Sequence, residues 1–100
     1  MLQAQIFIDK DEMYQDKYLY TFIMEFLIQH DISGATAING FMGFGKNQKM
    51  KNPNRLFSFD EQPMVITFID EEHKVRTVLS EIKKLVVNGI VVANKVEVFK

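Results

Sequence analysis

Glycines and a lysine between Gly40 and Lys46 have the spacing of a phosphate-binding loop. The segment reads GFMGFGKN, which is G-x-x-x-x-G-K followed by Asn47, where such a loop has Ser or Thr. In a nucleotide-hydrolysing protein that hydroxyl binds magnesium, and the loop enters a helix whose amino terminus faces the phosphates. The residues after Lys46 have no apolar periodicity and include Pro53, so no such helix is expected. The pattern therefore argues against an ATPase phosphate loop.

Two interpretations of these glycines remain. Successive backbone amides around Gly43, Phe44 and Gly45 could form a nest that holds a phosphate closely, because the flanking residues lack a Cβ atom. Alternatively, the glycines only allow the chain to leave a strand sharply. The spacing alone does not distinguish the two.

A long basic segment follows the glycines. No acidic residue occurs between Asp31 and Asp60, and the cations of this segment are Lys46, Lys49, Lys51 and Arg55. We expect residues 43–60 to form a flexible loop, far longer than the two to five residues that usually join antiparallel strands. Its charges are either merely solvated or form an arm for an anionic ligand or an acidic partner surface, and length and one-sided charge together favour the arm.

Composition and residue types exclude several function classes. The chain has no cysteine, which excludes disulfides, thiolate catalysis and zinc–thiolate sites. His30 and His73 are its only histidines, and neither has the neighbours of a metal site or of a catalytic group. We therefore predict no metal, no catalytic residues and no enzymatic activity.

Hydrophobic periodicity predicts six elements in 100 residues. Alternating residues indicate strands over 2–8, with Leu2, Ala4, Ile6 and Ile8 on one face, and over 91–99. A stretch rich in small residues is interpreted as a strand over 35–41, and a short β-branched and aromatic run as a strand over 64–69. Apolar stripes at helical spacing indicate helices over 17–30 and from 71 to about 87. Residues 9–16 are predicted to be an acidic loop. Gly34 is expected to supply any positive φ that the first helix needs at its end, and Asp70 is expected to cap the second helix.

This order predicts an α+β, ferredoxin-like β-α-β-β-α-β sandwich formed by residues 1–100 as a single domain. A four-stranded antiparallel sheet would carry both helices on one face. The other face would be bare and partly apolar, because the second and fourth predicted strands have apolar residues on both sides. Such a face usually finds a partner, so we expect a homo-oligomer with its sheets packed inward.

Motifs along nearly the whole chain carry a family resemblance. They are SGAT at 33–36, GFG at 43–45 followed by Lys46 and Gln48-Lys49, PMVI at 63–66 and VVNGIV at 86–91. With the element order and the long loop, they make the sequence resemble the PII signalling proteins. It is most similar to the PII-like group called domain-of-unknown-function family one-ninety.

The resemblance implies a homotrimeric regulatory protein with the sheets at its centre. In PII relatives, adenine nucleotides bind in clefts between subunits, and the long loop docks on a membrane transporter, a channel or an enzyme. Carried over by position, the residues for a nucleotide or another small anion are Gly43, Phe44, Gly45, Lys46, Asn88 and Gly89. The partner-binding residues of the loop are Lys46, Lys49, Lys51 and Arg55.

The residues leave an alternative open: a ligand-free homotrimeric scaffold whose basic loop binds an acidic partner surface. No cofactor is identified by the residues themselves. The net charge of −1 gives no reason to expect nucleic-acid binding. No apolar run is long enough to insert in a membrane, and the first residues lack the features of a signal peptide, so a cytoplasmic location is expected.

Overall fold

The computed structural model describes residues 1–44 and 62–100. In chain order the elements are β1 (Leu2–Asp9), β2 (Met13–Tyr14), β3 (Lys17–Tyr18), α1 (Leu19–Gln29), β4 (Ala35–Asn39), β5 (Pro63–Asp70), α2 (Glu72–Leu85) and β6 (Ile90–Lys95).

Four strands form one antiparallel sheet in the order β4-β5-β1-β6. β1 lies at its centre, with Ile6 opposite Ile66 of β5 on one side and Val91 of β6 on the other. The sheet thus alternates strands from the first half of the chain, β4 and β1, with strands from the second half, β5 and β6. The predicted ferredoxin-like fold is confirmed.

Strand alternation and helical spacing together build the core between the sheet and the helices. Every second residue of β1 and β5 is buried, and α1 and α2 each bury residues three or four positions apart. Burying one such side chain fully stabilises the fold by about 1.5–3 kcal/mol. The fully buried larger side chains are Ile6, Leu19, Ile23, Leu27, Ile66, Val75 and Ile82.

A small hairpin replaces the start predicted for the first helix. β2 and β3 pair across a two-residue turn in which Gln15 and Asp16 have φ of 49° and 65°. The acidic loop predicted over 9–16 is therefore wrong in part, and α1 begins at Leu19, not at residue 17. Tyr14 packs edge-on against Phe22 with the ring centroids 4.6 Å apart, which docks the hairpin on α1.

The end of α1 uses an aspartate where glycine was predicted. Asp31 has φ of 61°, and no glycine among the described residues has a positive φ, so the prediction for Gly34 is wrong. The Ile32 amide donates to Leu27 O at 3.1 Å and the Asp31 amide to Ile28 O at 3.2 Å. These two bonds are a Schellman motif, which satisfies carbonyls at the helix end.

Asp70 ends β5 and does not cap α2, contrary to the prediction. The helix begins after Glu71, whose side chain makes no capping bond. The Asp70 carboxylate is buried and accepts hydrogen bonds from the Ser33 amide at 3.0 Å, the Ser33 hydroxyl at 3.1 Å and the Glu71 amide at 2.8 Å. Lys74 lies 3.3 Å away as its ion-pair partner. Asp70 therefore ties the segment that enters β4 to the junction of β5 and α2.

Candidate ligand site at the loop end of the sheet

Both ends of the long connection lie at the same end of the sheet. The Gly40 amide donates to Pro63 O at 2.8 Å, and the Lys10 amide donates to Gln62 O at 2.6 Å. A Cβ atom on Gly40 would stand 2.5 Å from Cγ of Pro63. Glycine at this position thus lets the end of β4 close on the start of β5. We call this end, where β1 and β4 finish and β5 and β6 begin, the loop end.

The predicted loop-base residues come shortly after β4, beyond residues 40–42. Gly43 is half-buried, and Phe44 is exposed. The other predicted loop residues lie outside the residues that the structure describes: Gly45, Lys46, Lys49, Lys51 and Arg55.

Asn88 and Gly89, the other predicted ligand residues, connect α2 to β6. Both are exposed at the loop end, and Ile90 pairs with Phe7 of β1. A Cβ atom on Gly89 would overlap the carbonyl oxygen of Phe7 and lie 2.8 Å from Cγ1 of Val86. Glycine is therefore required here by backbone packing, whether or not a ligand binds.

The two predicted segments share an end of the sheet but not an edge. Residues 43–44 follow β4 and residues 88–89 precede β6, and these strands are the two edges of the sheet. With β5 and β1 between them, the edges are three strand spacings apart, about 14 Å. The described part of one chain does not bring the two segments into contact.

Acidic residues surround the hairpin at the loop end. The segment from the end of β1 to the hairpin turn contains Asp9, Asp11, Glu12 and Asp16. Burial raises the pKa of Glu12, and the negative charge of Asp9 raises it further. The cations predicted to attract an anion to this end are those of residues 46–55, since the segment at 9–16 has only Lys10.

The two histidines line one cavity at the opposite end of the sheet. Its volume is about 150 Å³, and its walls include His30, His73, Lys74 and Thr77. The His30 ring stacks on Phe26 with the centroids 4.0 Å apart, and its Nδ1 lies 2.9 Å from Phe26 O. Sequence spacing could not show this pairing, because the two histidines come from different helices. Within the described residues, no group of three or more His, Cys, Asp or Glu side chains could hold a metal ion.

The open face of the sheet, which lies opposite α1 and α2, carries a row of apolar side chains that local sequence patterns do not identify. Ile38 is opposite Val65, Val65 is opposite Phe7, and Phe7 is opposite Ile90, so one row crosses all four strands. Exposed fractions are 50% for Ile38, 40% for Phe7 and 61% for Ile90. We call these four residues the apolar row. Alternation in the sequence separates Phe7 from the buried residues of β1, but only the strand register aligns Phe7 with the other three residues.

Comparison with solved structures defines the class of protein. The fold is similar to that of CPII from Thiomonas intermedia K12 bound to ADP, AMP and acetate, with a TM-score of 0.71 and 16% identity over 99% of this chain and 88% of that one. It is also similar to CPII, a nitrogen regulatory PII-like protein, bound to ADP, AMP and bicarbonate (TM-score 0.62, 17% identity, 93% and 82% covered). This chain thus has a PII-like fold.

The sequence comparisons give the family. Residues 1–98 match the model of DUF190, described as an uncharacterized ACR. The chain is 33% identical over 95 residues to a UPF0166 protein of Aquifex aeolicus (strain VF5), which covers 94% of this chain and 89% of that protein. The chain therefore belongs to the DUF190 family, and the predicted relation to PII-like proteins is confirmed. In the described ranges, no helix has the length and hydropathy needed to cross a membrane.

Proposed function

We propose that this protein is a non-enzymatic, trimeric PII-like regulator. It binds an adenine nucleotide or another small anion in clefts between subunits. It acts in the cytoplasm as a single domain, and it signals through the basic loop to a transporter, a channel or an enzyme.

One observation carries the nucleotide part of the proposal. The loop base at Gly43 and Phe44 and the turn at Asn88 and Gly89 lie at one end of a sheet whose fold is shared with CPII, which binds ADP and AMP. The two segments are on opposite edges, so a neighbouring protomer would complete a site that one chain leaves open. The carried-over ligand residues are Gly43, Phe44, Gly45, Lys46, Asn88 and Gly89.

The apolar row supports assembly through the open sheet face. Four apolar side chains in register form a continuous band on the side of the sheet opposite α1 and α2. Bands of this kind mark interfaces, because burying them removes apolar surface from water. Three copies packed through this face would leave α1 and α2 on the outside.

A ligand-free scaffold is the second candidate function, and the packing of Gly89 favours it. The close approach of Gly89 to the carbonyl oxygen of Phe7 explains that glycine without any phosphate. In this function the trimer only presents Lys46, Lys49, Lys51 and Arg55 to an acidic partner surface.

Calorimetric titration with ADP, AMP and ATP separates the two functions. If the protein is a nucleotide-binding regulator, it binds at least one of the three nucleotides. Lys46→Ala should then weaken that binding by about tenfold or more, because a charge-assisted contact to phosphate is lost. Lys84→Ala is the matched control, since Lys84 lies on α2 beside Glu81. If the protein is a ligand-free scaffold, the titration gives no binding heat with any of the three nucleotides.

A further inference from the structure

A groove separates α2 from the edge strand β6 on the helix side of the sheet. Its cavity has a volume of about 290 Å³. Arg76, Leu79, Ser80 and Lys83 line it from one face of α2, as their i, i+3, i+4 and i+7 spacing requires. Residues 91–93 of β6 form the opposite wall.

β6 offers the groove an open strand edge. Among the residues that the structure describes, β6 pairs with β1 alone. The backbone N–H and C=O groups on the other edge of such a strand are a template for an added strand. An extended segment lying in the groove would hydrogen-bond to β6 while its side chains contact α2.

The charged groups that line the groove are cationic. Arg76 donates through Nε to Glu72 at 2.9 Å, which leaves the other guanidinium N–H groups for a further acceptor. Lys83 has no ion-pair partner within the described residues. Among the described residues, no acidic side chain lines the cavity. A segment that binds here is therefore expected to carry carboxylates.

The spacing of the groove fits an extended chain. Arg76 and Lys83 are seven helical positions apart, about 10 Å along α2. Residues i and i+4 of a strand are about 13 Å apart and point to the same side, with residue i+2 between them. Carboxylates at i and i+4 can thus reach Arg76 and Lys83, while an apolar side chain at i+2 covers Leu79.

We propose that this groove binds an acidic, extended segment of a partner protein as an added strand on β6. This surface goes beyond the proposed function and does not depend on nucleotide binding. It requires residues 91–93 of β6 to stay free of the neighbouring subunit whose loop base meets the Asn88-Gly89 turn in the proposed assembly, so the full chain in its native assembly is the material to test.

A labelled peptide tests the proposal directly. The capped peptide Thr-Glu-Thr-Leu-Thr-Glu-Thr carries the expected pattern, and Thr-Lys-Thr-Leu-Thr-Lys-Thr is its charge-reversed control. Fluorescence anisotropy should show binding of the acidic peptide only. Lys83→Glu should weaken it by about tenfold or more, and Lys84→Glu by less than about twofold, because Lys84 lies outside the groove. In hydrogen exchange, the peptide should protect those amides of residues 91–93 that do not already donate to β1.

Three results would overturn the proposal. The first is no binding of the acidic peptide at millimolar concentration. The second is an equal loss in the Lys83→Glu and Lys84→Glu variants, which would indicate diffuse electrostatic attraction. The third is dissociation of the native assembly by Lys83→Glu in light scattering, which would assign the groove to a second copy of this chain.

Discussion

At the scale of single residues, the neighbours of the buried Asp70 carboxylate stabilise its charged form. Hydrogen bonds from the backbone amides of Ser33 and Glu71 lower its pKa from 3.8 to about 2, and the Ser33 hydroxyl and Lys74 add to them. Charged acceptors with several amide donors strongly favour the ionised form. Ser33 is 37 residues away in sequence, so Asp70 joins two distant parts of the chain.

Replacing Asp70 by Asn should reduce the free energy of unfolding at pH 7 by about 2 kcal/mol, the value that corresponds to the lowered pKa. The folded-state pKa is below the unfolded one. The stabilisation is therefore complete above about pH 4 and is lost as the pH falls toward 2. Urea unfolding of both proteins between pH 2 and 7 measures the difference.

Asp11→Asn is the control for that series, because Asp11 is exposed and its carboxylate has no hydrogen bond in the described structure. It should change stability by less than about 0.5 kcal/mol. An Asp70→Asn variant with the same deficit at pH 2 as at pH 7 would show that its charge is not what stabilises the fold.

Gly89 and Gly34 should respond oppositely to the same substitution. Gly89→Ala places a Cβ atom against the Phe7 carbonyl oxygen, so it should destabilise the fold by about 1–3 kcal/mol. Gly34 has no atom within 4 Å of a built Cβ and no positive φ. Gly34→Ala should therefore be neutral or stabilise by up to about 1 kcal/mol. Thermal unfolding of the two variants compares them, and equal effects would contradict the close packing at Gly89.

At the scale of elements, the backbone at the carboxyl end of α1 is strained at Asp31, and a single substitution should relieve that strain. Asp31 adopts the left-handed conformation in which L side chains crowd the backbone, and glycine does not. Asp31→Gly should stabilise the protein by about 0.5–1 kcal/mol in chemical unfolding. The substitution keeps the backbone carbonyl of this position, which accepts a hydrogen bond from Lys74.

Asp11→Gly provides the comparison, because Asp11 lies outside the left-handed region. It should not stabilise the protein, since glycine there only increases the entropy of the unfolded chain. If Asp31→Gly were as unfavourable as Asp11→Gly, the left-handed conformation of Asp31 would be contradicted.

Sequence patterns predicted the long elements well and the short ones poorly. Period-two alternation in β1 separated its two faces, because a one-residue error would expose the whole buried face. β5 was predicted only from its run of β-branched and aromatic residues. The β2–β3 hairpin has only two residues a strand, too few for any periodicity. The role of Asp70 also escaped prediction, because its main partner, Ser33, lies far away in the chain.

The sequence predicted the two segments of the candidate site but not their arrangement on the sheet. Local motifs indicated Gly43-Phe44 and Asn88-Gly89, and the fold sets both segments at the loop end. Their positions on opposite edges depend on strand order, which no local pattern contains. The structural need for Gly89 depends on a contact with β1 that its neighbours in sequence do not reveal.

At the scale of the whole molecule, the apolar row predicts how the proposed trimer is held together. Phe7→Glu introduces a charge at the centre of the row and should dissociate the proposed trimer, since burying an unpaired charge is costly. Ile28→Glu is the matched control: Ile28 is 73% exposed on α1, away from the open face. Light scattering should give three times the 11.7 kDa chain mass for the wild type and the Ile28→Glu variant, and one chain mass for Phe7→Glu.

A wild-type protein that is monomeric, or a Phe7→Glu variant that remains trimeric, would refute assembly through this face. Circular dichroism of the variant checks that its fold is intact. The same check is needed before nucleotide binding by the variant is measured. The proposed clefts exist only between subunits, so a folded monomer should lose binding because the clefts are lost.

Calorimetric titration of ADP into the wild-type protein and the folded Phe7→Glu variant decides whether a nucleotide site lies between subunits. We expect binding with one site per chain in the wild-type assembly and no measurable binding in the variant, because each proposed cleft takes the loop base and the Asn88-Gly89 turn from different subunits. Binding of equal affinity to both forms would contradict a site between subunits. No binding of ADP to the trimer would contradict a nucleotide-binding regulator that recognises ADP as CPII does.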